Sequence, residues 1–82
     1  MQNIPFIGFS NTCLDVITTA NTRLIIKILD VHGRFIATLQ QTLEQGVHQC
    51  YLNLESLSDG HYVMNAFNGD KFIRSFHYIK SV

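Results

Sequence analysis

Leu24-Ile25-Ile26-Lys27-Ile28-Leu29-Asp30-Val31-His32-Gly33-Arg34 is the stretch on which the fold turns. In an extended chain Leu24, Ile26 and Ile28 share one side, while Arg23, Ile25, Lys27 and Leu29 share the other. A helix through the same residues has no clean apolar stripe, and the β-branched side chains favour a pleated surface. The run therefore predicts a core strand from about Arg23 to Val31. Asp30, His32 and Gly33 supply turn chemistry, with Gly33 taking a positive φ, and Phe35-Ile36 resumes the apolar pattern. The stretch reads as a β-hairpin, with a partner strand from Phe35 to about Gln41.

Outward from this hairpin the chain repeats the same grammar. Residues 1–12 are punctuated by Pro5, Gly8, Ser10 and Asn11 and read as an irregular lead-in or a short edge strand. Cys13 to Thr18 is a strand with Leu14 and Val16 inward and Asp15 outward. Leu43-Glu44-Gln45-Gly46 reads as a turn, and Val47 to Leu54 as a strand whose core side is set by Leu52 and Leu54. Ser56 to Gly60 is a second turn cluster, with Leu57 plugging one end of the fold. His61 to Phe67 is a strand with Tyr62, Met64 and Ala66 on one face. Asn68-Gly69-Asp70 is a hairpin signal, and Lys71 to Lys80 is the last strand, ordered by burying Phe72 or Phe76. Six to seven short strands with no helical period describe an all-β, antiparallel β-sandwich; a partly open barrel would give a similar pattern.

Length and composition bound the function. Eighty-two residues allow one domain with one modest core. The chain is 46% hydrophobic, too apolar for disorder, yet it lacks the run of roughly 18 apolar residues that a spanning helix needs. Six basic and six acidic residues cancel, which leaves no overall field to draw nucleic acid or an anionic membrane. The first residues have no basic n-region and do not read as a signal peptide; an initiator Met before a bare domain also fits an excised piece of a larger precursor. Cys13 and Cys50 form no metal pattern, and their phases differ along their strands, which predicts free thiols.

The ordered motifs carry a resemblance. Asp30-Val31-His32-Gly33-Arg34, then Gln45-Gly46, then Leu57-Ser58-Asp59-Gly60-His61-Tyr62, then Gly69 and a basic apolar-alternating tail resemble the C-terminal sorting domains of the type IX secretion system. Asp30, Gly33 and Arg34 match the family's Asp-x-x-Gly-Arg motif, and Leu57, Gly60 and Tyr62 its Leu-x-x-Gly-x-Tyr motif. The resemblance runs from about Leu14 to Val82. It implies an Ig-like sandwich over residues 13–82 that does no chemistry. It also implies a cargo address, recognised by outer-membrane export machinery and then removed or exchanged by a sortase-like peptidase, so that cargo passes through the periplasm to the surface or medium. The last strand departs from the pattern: Ser75 stands where the family usually has Lys, and Arg74 is one place off.

Residue by residue, most of these side chains read as structural. Gly33 and Gly60 close tight turns, Asp30 bonds turn N–H groups, and Tyr62 is a core aromatic with its hydroxyl bonded at the rim. His32, His48, His61 and His77 lie on four segments with no ligand spacing, so no metal or cofactor is expected. No Ser, Cys or Asp has a base in a recognisable motif, so no catalytic residue is expected. Recognition is assigned to the tail strand, to Arg74, Lys80 and Val82, where an edge and a terminal carboxylate could meet a receptor. The alternative from another class is an accessory protein- or carbohydrate-interaction module, disfavoured for sugars because the chain has no Trp.

Overall fold

The computed structural model describes residues 3–81. Seven strands run in order: β1 (Phe6–Ser10), β2 (Cys13–Thr18), β3 (Thr22–Asp30), β4 (Phe35–Leu43), β5 (Gly46–Tyr51), β6 (Gly60–Asn68) and β7 (Lys71–Lys80). They form two antiparallel sheets, β1-β2-β5 and β4-β3-β6-β7. The fold is thus an all-β sandwich, and the open-barrel alternative falls away.

The core lies between the sheets, where each contributes its inward row. Ile7, Leu14, Val16 and Cys50 come from the three-stranded sheet; Leu24, Ile26, Ile28, Tyr62, Met64 and Ala66 come from the other. Burying a Leu or Ile side chain contributes about 1.5–3 kcal/mol, so the alternation in β3 largely dictates which way that strand faces. Within the segment read as lead-in or edge strand, Phe6–Ser10 forms β1 at the edge of its sheet, and Ile4 and Ile7 enter the core.

Some boundaries differ from the sequence reading. Leu43 is not a turn residue; it ends β4 and is only 2% exposed, because it closes the core beside Thr22. The strand expected from Val47 to Leu54 stops at Tyr51, after which the Leu52 amide bonds the Thr12 carbonyl and the chain leaves the ladder. Leu54 is nonetheless buried as a member of the core cluster, although it lies beyond the end of the strand. Of Phe72 and Phe76, the second packs on the core, while Phe72 is exposed and meets Phe67 edge-on. Cys13 and Cys50 are free thiols, the first half-buried and the second buried.

Two register shifts redirect side chains. Between β3 and β4 the ladder passes from Ile28↔Ala37 to Leu29↔Phe35, leaving Ile36 as the extra residue. Between β6 and β7 it passes from Ala66↔Arg74 to Phe67↔Phe72, leaving Ile73 as the extra residue. A bulge resets the alternation of its strand. Arg74 consequently joins Phe76, Tyr78 and Lys80 on the row that faces the other sheet.

Candidate recognition strand

The two sequence motifs meet at one end of the sandwich. Asp30 on β3 pairs with Tyr62 on β6, and Tyr62 pairs in turn with Tyr78 on β7; at the start of β6, Gly60 pairs with Lys80. Asp30, Arg34, Gly60 and Tyr62 line a common open groove of about 310 Å³, with His32 and Asp59 among its other walls. Separation along the chain hid this meeting. It arises because β3 and β6 are neighbours.

Each motif is held by its own hydrogen bonds. Asp30 Oδ1 accepts the backbone N–H groups of His32 and Arg34 at 2.9 Å, and Asp30 Oδ2 accepts the Arg34 Nε–H at 2.8 Å. The Arg34 amide foremost holds the Asp30 carboxyl below its ordinary range; partial burial opposes this, and the Arg34 side chain and His32 amide add to it. Gly33 has φ of 78°, a conformation that a Cβ would strain. In the second motif the Tyr62 hydroxyl donates to the Ser58 carbonyl at 2.6 Å, four residues upstream. That is the arrangement called a tyrosine corner in β-sandwiches. Leu57, half-buried, packs against the core at the same end.

β7 is an edge strand of ten residues, so one side of its backbone has no strand partner among the described residues. The basic residues Arg74 and Lys80 on this strand are engaged. Lys80 Nζ donates to the Leu54 carbonyl at 2.9 Å, tying the end of β7 to the segment after β5. Arg74 donates through a guanidinium N–H to the Ile7 carbonyl of β1 at 3.2 Å and lies 5.3 Å from the Phe76 ring centroid. Arg74 thus clasps the edge of one sheet to the other, and Lys80 clasps it to the segment that follows β5. The outward row of β7 is Phe72, Ser75, His77 and Ile79, of which Phe72 and Ile79 are about half exposed. Val82, the third tail residue assigned to recognition, lies outside the described residues.

The histidines correct an expectation. Read as lying on separate segments that nothing brings together, two of the four meet: His61 Nδ1 is 3.2 Å from His77 Nε2, with ring centroids 5.3 Å apart. The signal was present in the hairpin, since both residues stand eight positions from Gly69. His61 lies opposite Ile79, and His77 is its diagonal neighbour, within reach of long side chains. His48 instead bonds the Glu44 carbonyl at 2.6 Å.

Among the described residues no helix is long and apolar enough to cross a membrane. Neither a curated protein nor a solved structure matches the chain. The sequence profile described as the secretion system C-terminal sorting domain matches residues 10–80, which takes in all of β2 to β7 and both motifs. That family is not a catalytic one; it implies interaction with the secretion machinery and a secreted or cell-surface cargo. With the match covering most of its length, the chain belongs to the C-terminal sorting domains of the type IX secretion system.

Proposed function

We propose that this domain is a non-catalytic address, bound by the outer-membrane export machinery through β7, and that it directs an attached cargo to the surface or the medium. Family membership carries the reading, and the position of β7 supports it. A receptor can add a strand to a free edge through main-chain hydrogen bonds and take specificity from alternate side chains. Arg74 and Lys80 serve recognition by holding that edge in register, each through a carbonyl of another element. Val82 is assigned to the same recognition. A sortase-like peptidase would act after transfer. The sheet orders β1-β2-β5 and β4-β3-β6-β7, which correspond to A-B-E and C′-C-F-G in immunoglobulin lettering, support the Ig-like description of the sandwich.

The test is a fusion of the domain to a periplasm-directed reporter in a host with the machinery, with and without residues 79–82. Export of the intact fusion and periplasmic retention of the truncated one is the expected result. Equal export of both, with circular dichroism showing both folded, would remove β7 from the reading. Failure of the intact fusion to leave the periplasm would remove the sorting role itself.

A further inference from the structure

We infer that His61 and His77 form a two-imidazole site for one borderline transition-metal ion, with Cu²⁺ bound most tightly and Ni²⁺ or Zn²⁺ less so, on the outer face of the β6–β7 hairpin. The pair's geometry carries this independently of the sorting role. His61 Nδ1 and His77 Nε2 face each other at 3.2 Å, and the ring planes lie within 28° of each other. Two nitrogens bound at about 2.0–2.1 Å to one ion stand roughly 3.3 Å apart in tetrahedral geometry and about 2.9 Å apart at a right angle. The observed separation falls between these values. The hairpin therefore already holds both ligand nitrogens at chelating distance, and rotation of the exposed rings about their side-chain bonds would turn both lone pairs on one ion.

Both side chains are exposed, so an ion can reach them and water can fill its remaining positions. Among the described residues no group of three His, Cys, Asp or Glu side chains is placed to hold an ion, so the site is an open, two-ligand one. Imidazole suits copper, nickel and zinc, whereas magnesium and calcium demand oxygen ligands. The proton balance is simple. Without metal, one of the two facing nitrogens carries the proton of an N–H···N bond; on binding, that proton leaves, and the ring takes one up at its far nitrogen. The bound rings then carry N–H at His61 Nε2 and His77 Nδ1, and no electron changes hands. The ion would join the start of β6 to the end of β7.

Untagged protein titrated with CuCl₂ and, separately, ZnCl₂ tests this by calorimetry and, for zinc, by imidazole ¹⁵N resonances. One ion should bind per chain, and the His61 and His77 ring signals should move together while those of His32 and His48 stay. His61→Gln and His77→Gln should each weaken Cu²⁺ binding about tenfold or more, because the second ligand acts at high effective concentration. His32→Gln and His48→Gln should leave it unchanged. Zinc should raise the thermal midpoint of the wild type but not of the His77→Gln variant. Either a wild-type Kd for Cu²⁺ above about 1 mM, or equal binding by folded His61→Gln and His77→Gln variants and the wild type, would overturn the site.

Discussion

The Tyr62 hydroxyl lies 2.6 Å from the Ser58 carbonyl, so one hydrogen bond joins the start of β6 to the turn that precedes it. Tyr62 as a whole is 6% exposed and packed in the core. Tyr62→Phe keeps the packing and removes the bond. We expect it to lower unfolding free energy by about 1 kcal/mol in urea titrations. Ser58→Ala should change little, because the acceptor is main chain. An unchanged midpoint in Tyr62→Phe would show that the corner is ornamental.

The Asp30 carboxylate gives the hairpin a pH dependence. Its folded pKa is lowered, chiefly by the Arg34 amide, so its contribution is fully present above the unfolded value near 3.8. That contribution is lost as pH falls through the lower, folded value. The stability gap between wild type and Asp30→Asn should be constant above about pH 5 and shrink toward strong acid. Urea midpoints across that range measure it. A gap that does not change with pH contradicts the assignment.

Two buried threonines should respond oppositely to the same replacement. Thr22 Oγ1 is buried with no hydrogen-bond partner among the described residues, whereas Thr18 Oγ1 lies 2.6 Å from the Ala20 carbonyl and 3.0 Å from the Asn3 carbonyl. Valine has nearly the same shape. Thr22→Val should stabilise by up to about 1 kcal/mol, since a hydroxyl buried without a partner costs free energy. Thr18→Val should cost about 1–2 kcal/mol, since it strands acceptors that the hydroxyl served. Thermal denaturation of the pair decides, and destabilisation of both would count against the unpaired hydroxyl.

Lys80 fastens the end of the edge strand. Lys80→Met retains much of the aliphatic stem but abandons the Leu54 carbonyl, so amides near Gly60 and Lys80 should exchange with solvent several-fold faster. Those at the centre of β3 should not change. Hydrogen exchange followed by mass spectrometry or NMR reads both regions at once. Uniform exchange at the two would mean the contact does not hold the strand end.

How much was legible in the chain varied from one element to the next. β3 was plain, because its inward row of Leu24, Ile26 and Ile28 alternates without interruption and turn residues lie at both ends. The Asp30 turn and the Tyr62 hydroxyl bond were also plain, since each joins residues within four positions and reflects side-chain chemistry. The ends of β4 and β5 were not. Leu43 is an apolar residue beside polar ones, and its burial depends on what the opposite sheet offers; Leu54 faces the core as its phase predicts, but the strand ends at Tyr51, before it.

What the sequence by itself determined is therefore local: strand phase, turn positions, free thiols, and two motifs whose order marks the family. Period-two alternation and turn preferences act over a few residues, and these leave their trace directly in the chain. The tertiary structure decided what lies far apart. The bulge at Ile73 turned Arg74 toward Ile7, which precedes it by 67 positions, and sandwich closure brought Lys80 to Leu54, 26 positions away. The β6–β7 register set His61 beside His77. A one-residue shift in register sends every later side chain to the other face, so these contacts exist only once the ladder has formed.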